Sequence, residues 1–252
     1  MRSSCSITAE QLGVTFAGNA PTLESVDLCC APGTFVTIVG PSGCGKSTFL
    51  RCVANLQQPT IGRLQIAEAN GQTPRVAFVF QDPTLLPWRN VQQNIEVPLE
   101  LRREPVADRR SQAMSALRQV GLVDDDALKF PHMLSGGMRM RVSLARALIT
   151  KPRVLLLDEP FAALDEISRQ QLNEELLRLW GEQGWTTLFV THNVNEAVFL
   201  SQRVLVMSQR PGKIAADFSI DFDQPRDSQL RSSLEFAELT GRVSAALREA
   251  AV

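Results

Sequence analysis

Gly40-Pro41-Ser42-Gly43-Cys44-Gly45-Lys46-Ser47-Thr48 decides the reading of this chain. The run fits G-x-x-x-x-G-K-[ST], a phosphate-binding loop. Phe35-Val36-Thr37-Ile38-Val39 precedes it, apolar and β-branched like a buried strand. Phe49-Leu50-Arg51-Cys52-Val53-Ala54 follows as a helix, so the strand–loop–helix context of the motif is complete. Gly40, Gly43 and Gly45 let the backbone turn so that successive N–H groups point at phosphate oxygens. The helix start adds unpaired donors and a positive dipole end. Lys46 is expected to reach the β- and γ-phosphates, and the Ser47 hydroxyl to ligate Mg²⁺.

Outward from this loop the chain reads as alternating strands and helices. Val26, Leu28 and Cys30 share one face of an earlier strand, and Pro32-Gly33 turns into the next. Residues 62–66 and 75–80 read as further strands, the latter ending on Gln81. Residues 84–150 are helical in texture, punctuated by prolines, with Met114, Leu117 and Val120 at three-residue steps and Gly121 as a stop. Asp124-Asp125-Asp126 reads as a solvated turn, since no ligand-spaced partners follow it. Strands resume at residues 153–157, 186–190 and 203–207, with Leu172, Leu176 and Leu179 on one face of an intervening helix. The expected fold is an α/β phosphate-loop core with a parallel sheet and an inserted helical lobe. The tail from Asp221 is polar and then weakly helical, with no role assigned.

The chain has 252 residues, of which 44% are hydrophobic, enough for one large domain or one domain with an inserted lobe. A net charge of −1 argues against a general affinity for nucleic acid or anionic membranes. No apolar run approaches the ~18 residues that span a bilayer, and Met1-Arg2-Ser3-Ser4-Cys5-Ser6 lacks the apolar core of a signal peptide. The cysteines at 5, 29, 30, 44 and 52 are odd in number and form no C-x-x-C pair, so reduced thiols in a cytosolic protein are expected. Cys44 is either an oxidation-sensitive thiol or a small residue in the loop.

Four apolar strands finish on polar groups: the phosphate loop, Gln81, Asp158-Glu159 and Thr191-His192. Open parallel sheets bind ligands beyond the carboxyl ends of their strands, so these groups are expected to meet at one nucleotide site. Asp158 is the carboxylate expected to hold Mg²⁺. Neighbouring residues leaving a strand point to opposite sides, so Glu159 can polarise the attacking water while Asp158 serves the metal. His192 is read as contacting the γ-phosphate or the water, and Gln81 as bridging Mg²⁺ and that water. Leu134-Ser135-Gly136-Gly137-Met138 heads a long helix and makes a second anion-binding N-terminus, one suited to the nucleotide of another subunit.

The phosphate loop, Gln81, Leu-Ser-Gly-Gly, the strand ending at Asp158-Glu159-Pro160, and His192, in that order, resemble the ATP-binding subunit of ABC transporters. The resemblance covers roughly residues 7–214. It implies a phosphate-loop (RecA-like) core and antiparallel β subdomain in residues 1–83 and 151–220, a helical subdomain in 84–150, and a short partly helical tail in 221–252. It also implies ATP and Mg²⁺ as cofactors and a head-to-tail dimer, a homodimer by expectation, that sandwiches two ATPs. Ser135, Gly136 and Gly137 would then meet the partner's γ-phosphate, and Asp165 would cross the interface. The family stacks an aromatic on adenine; the chain has no Tyr, and Phe16 is the candidate, with a core role as the alternative.

Met138 stands where the general signature has Gln, and similar sequences mark the nitrate/sulfonate/taurine importer branch. Leu85-Leu86-Pro87-Trp88-Arg89, residues 190–198 and residues 210–214 are also similar to that branch. Asn193 replaces its usual Asp, and Met140 sits where Gln is commoner. The resemblance implies two transmembrane permease subunits as partners, an extracytoplasmic solute-binding protein acting indirectly, and a place on the cytoplasmic face of the membrane. Trp88 either fills the helical lobe or faces the membrane subunit. Two other classes stay open: a soluble ABC-type ATPase outside transport, and a non-hydrolysing regulatory subunit for which Met138 is the argument. The absence of Asn-Lys-x-Asp argues against a GTPase.

Overall fold

The computed structural model describes residues 5–18, 20–68 and 74–251. Strands β1 (Cys5–Val14), β2 (Leu23–Cys30) and β4 (Ile61–Glu68) form an antiparallel sheet in the order β2-β1-β4. The main sheet orders its strands β5-β6-β7-β3-β8-β9, where β3 is Phe35–Val39, β5 Val76–Val79, β6 Val154–Asp158, β7 Thr186–Val190, β8 Arg203–Met207 and β9 Ile214–Ser219. The first five of these run parallel, and β9 pairs antiparallel with β8 as an edge. All five residues of β3, β6 and β7 are buried, as expected of central parallel strands covered on both faces.

Alternation along these strands divides the core in two. Phe35, Val39, Leu155, Leu157 and Phe189 face one side and pack against the helices α2 (Val91–Leu101), α3 (Val106–Gln119), α4 (Gly136–Leu148), α5 (Glu166–Gln183), α6 (Val194–Leu200) and α7 (Leu234–Glu249). Val36, Ile38, Leu156, Leu188 and Val190 face the other, under α1 (Lys46–Val53) and the three-stranded sheet. The period-two side-chain rule therefore sets which layer each strand residue supports.

Helices α2, α3 and α4 lie in sequence between β5 and β6. Asn90 opens α2 with a reciprocal capping box to Gln93, Gly121 follows α3 at φ 70°, and Gly184 closes α5 at φ 71°. Leu117 and Val120 are buried as the three-residue spacing predicts, with Met114 packed beside them. Two expectations change. Asp126 is not solvated: it is buried, accepts from Val123 N–H at 3.1 Å and pairs with Lys129 at 2.7 Å, so a carboxylate of the acidic run closes its own short 3₁₀ turn. The tail is also more than weakly helical, because α7 buries Phe236 and Val243 in the same core as the sheet.

Candidate nucleotide site

Parallel strand order brings the carboxyl ends of β6, β7 and β3 side by side. Asp158 lies across from Val190, and Val190 from Ile38. The backbone ties the rim further, with Glu159 N–H donating to Val190 C=O at 2.9 Å and Thr191 N–H to Ile38 C=O at 3.3 Å. The groups expected from three separate stretches thus share one edge of the sheet.

The phosphate loop fills the space above β3. Gly43 and Gly45 take φ values of 78° and 112°, conformations open to glycine. A Cβ on Gly45 would sit 2.5 Å from Leu23 Cδ2, so the start of β2 is packed onto the loop. Lys46 is buried, and its ammonium donates to the carbonyls of Gly40 at 2.8 Å and Pro41 at 2.9 Å. Its charge is held inside the loop by two dipoles that a phosphate can replace. Cys44 is buried as well, and burial pushes its thiol pKa up, which leaves it a small packing residue rather than a reactive thiolate.

Ser47 Oγ donates to Asp158 Oδ1 at 2.8 Å. Burial raises the pKa of Asp158, opposed by that hydrogen bond and reinforced by neighbouring Glu159. Two oxygen donors this close suit Mg²⁺, which takes one or two protein ligands and completes its shell with phosphate and water. No cluster of three His, Cys, Asp or Glu side chains able to hold a metal occurs among the described residues. Glu159 sits at φ 46°, a strained conformation for a residue with a side chain. Its carboxylate accepts from His192 Nδ1–H at 2.8 Å, which fixes the Nδ1–H tautomer. Glu159 lines, with Lys46, Ser47 and Thr48, a cleft of about 200 Å³ over the loop.

Other expected residues lie elsewhere. Gln81 is exposed just beyond β5, on the same rim but at the sheet's edge. Phe16 is 39% exposed in the turn after β1 and is no core residue. Ser135 is exposed at the head of α4, its hydroxyl accepting from Met138 N–H at 3.2 Å. Gly136 approaches Leu164, while a Cβ on Gly137 would meet nothing within 4 Å. None of the three lines the cleft over the phosphate loop. Met138 and Met140 both pack into the core, and Asn193 caps α6 by accepting from Glu196 N–H. Asp165 likewise caps α5, at Ser168 N–H.

One buried carboxyl beside the His192 loop was not singled out in the sequence. Glu196 is buried against the His192 loop, where burial raises its pKa to about 7. Its place within residues 190–198, four positions after His192 on a short helix, was the available signal.

A phosphate loop at the head of a parallel sheet, with a hydroxyl–carboxylate pair and a Glu–His pair on one rim, defines a nucleoside triphosphatase of the phosphate-loop fold. The chain belongs to the ABC transporter family, whose model matches residues 23–162, and it is an ABC-type ATPase. It is 42% identical over 238 residues to an uncharacterized ABC transporter ATP-binding protein of Methanocaldococcus jannaschii, covering 93% of this chain and 87% of that one. It is 45% identical over 215 residues to an aliphatic sulfonates import ATP-binding protein of Xanthomonas axonopodis pv. citri, covering 84% and 85%. A homologue of the same description from Rhodopseudomonas palustris (strain ATCC BAA-98 / CGA009) is 46% identical, covering 90% and 78%. Among solved structures, the dimeric structure of a bacterial ABC transporter cassette aligns with a TM-score of 0.75 at 30% identity, covering 86% of this chain and all of that one. A post-hydrolysis state of that cassette bound to ADP and Pi aligns at 0.74 and 29%.

Proposed function

We propose that this chain is the ATP-hydrolysing subunit of an importer for small anions of the sulfonate class, working as a head-to-tail pair on the cytoplasmic face of the membrane. The observation that carries the reading is the Glu159–His192 hydrogen bond at the mouth of the phosphate-loop cleft. Ser42, Gly43, Cys44, Gly45 and Thr48 turn backbone N–H groups toward the phosphates, with Gly40 and Pro41 shaping the turn, and Lys46 turns from its own carbonyls to the γ-phosphate. Ser47, Asp158 and Gln81 would hold Mg²⁺, and the ion would supply positive charge to offset that of the phosphates. Glu159 takes the proton from water as it attacks, and His192 holds that carboxylate in place while its Nε2 faces the γ-phosphate. Phe16 stacks on the adenine.

Ser135, Gly136 and Gly137 complete the partner's site, since they lie outside this chain's own cleft and Gly137 is open to approach. The membrane partner docks near Trp88, which is 70% exposed and so does not fill the helical lobe. Trp88 borders a cavity of about 600 Å³ with Val106 and Leu128, both also exposed. No helix among the described residues is long and apolar enough to cross a membrane, and in this reading the permease is a separate chain. The relatives named for aliphatic sulfonate import support the solute class.

Glu159→Gln tests the chemistry. The variant should bind ATP and form the dimer, yet turn over about 100-fold more slowly. Turnover equal to the parent would remove Glu159 as general base. Sulfonate uptake by cells carrying the chain with its neighbouring permease tests the cargo; uptake unchanged by Glu159→Gln would detach the chain from it.

A further inference from the structure

Thr191 and Asn193 flank His192, and one hydroxyl holds both. Thr191 Oγ1 bonds Glu196 Oε2 at 2.5 Å and accepts from Asn193 N–H at 3.0 Å. The Asn193 side chain in turn accepts from Glu196 N–H at 3.2 Å. The backbone on either side of His192 is therefore closed into a ring of hydrogen bonds whose fixed point is Glu196. That carboxyl is 3% exposed, on a helix of seven residues.

The helix itself is clamped at its far end by the tail. Arg226, buried, donates to the carbonyls of Val198 at 3.3 Å, Phe199 at 2.8 Å and Ser201 at 2.9 Å. The Arg231 guanidinium lies 3.6 Å over the Phe199 ring. α6 is thus a short fixed bar, and Glu196 projects from it toward the loop that carries His192. The Asn173 side chain on α5 also bonds the Glu196 carboxyl, and the Arg169 charge lies near it, so the carboxyl is held from α5 as well as from the loop.

We propose that Glu196 is a positioning residue for His192, acting through the Thr191 hydroxyl from a helix anchored by the C-terminal segment. The inference rests on the role of His192 given above and adds how that imidazole is aimed. Fixing the loop matters because displacing a catalytic group by about 1 Å can cost on the order of 100-fold in rate. Burial raises the Glu196 pKa to about 7, so the carboxyl serves as a hydrogen-bond partner rather than a strong ion-pair partner. An amide can do the same work, whereas a methyl cannot.

The test uses the purified full chain and four variants: Glu196→Ala, Glu196→Gln, Thr191→Val and His192→Ala. Thr191→Val keeps the shape and removes only the hydroxyl, so it reports even where Glu196→Ala does not fold. Glu196→Ala and Thr191→Val should each lower kcat about tenfold, with KM for ATP within about twofold, and Glu196→Gln should recover most of the loss. Added to His192→Ala, either change should cost nothing further, because residues acting as one unit are non-additive. The chain has two histidines, so ring-proton NMR can follow His192 against His132 as an internal control. The Nδ1 proton that bonds Glu159 should broaden or vanish in Thr191→Val and persist in Glu196→Gln.

An unchanged His192 ring signal in Thr191→Val, or losses that multiply with His192→Ala, would overturn the inference and leave the role of His192 intact. Undiminished turnover in His192→Ala would overturn that role. A ring signal that still moved in Thr191→Val would then uphold the positioning by Glu196 alone.

Discussion

Residues 40–48 and 135–137 are both glycine-rich entries to a helix, and both are suited to anions, yet their surroundings are opposite. The first is enclosed: Gly45 is packed against Leu23, Lys46 is buried in its own carbonyls, Asp158 is bonded to Ser47, and Glu159 lines its cleft. The second is open: Ser135 is exposed and spends its hydroxyl on its own helix, and Gly137 has no neighbour for a side chain to meet. One anion site is built by this chain alone. The other offers exposed backbone N–H groups, while the nearby Arg139 guanidinium is engaged with Leu134 C=O, so in the proposed reading it serves a second surface. A chain that carries one of each suits the proposed head-to-tail pair.

This contrast can be broken by substituting the two glycines. Gly45→Ala should lower stability by about 3 kcal/mol in urea unfolding and abolish ATP binding, because a side chain at φ 112° is strained and its Cβ collides with Leu23. A midpoint equal to the parent would mean the loop is not packed as tightly as its contacts require.

Gly137→Asp should do the reverse. A carboxylate in the first turn of α4 suits the helix dipole, so stability should hold or rise slightly. Turnover should fall at least about tenfold, because the same charge repels a phosphate brought by a partner. Mixing this variant with Glu159→Gln chains sharpens the point, since a head-to-tail pair leaves one composite site with neither change. Recovery of turnover in the mixture supports the pairing, and its absence at saturating ATP argues against it.

The smallest effect concerns the charge stored on the enclosed side. Burial holds the Asp158 pKa above its ordinary value, so the folded protein binds this proton more tightly than the unfolded chain does. Stability from this group is present at low pH and is lost as pH rises through the range just above the ordinary carboxylate value. Asp158→Asn should flatten that decline and give a small rise in the denaturation midpoint at neutral pH. Unfolding curves for the two proteins between pH 4 and pH 8, roughly the span of the titration, check it. An identical slope would place the cost elsewhere.

Much of this site was legible before any coordinates. Motif spacing exposed the phosphate loop, and runs of apolar residues ending on Asp158, Glu159 and His192 exposed the rim, because strand ends in a parallel sheet share one edge. Other features gave weak signals. Arg226 is one arginine in a polar tail, and nothing in its neighbours says that it donates to the end of α6. Asp126 looked solvated within an acidic run because sequence does not reveal which of three carboxylates turns inward. Phe16 and Gln81 are both exposed and carry no contact that fixes a role.

By itself the sequence determined the class of chemistry and the order of the layers, since both follow from local rules: which residue types turn tightly, which alternate, and which cap a helix. Only the tertiary structure decided that Lys46 folds into its own loop, that Glu159 meets His192 at 2.8 Å, and that Glu196 lies beneath the His192 loop. These are distances between side chains whose separation in space is set by packing the whole core, and no local pattern encodes that sum.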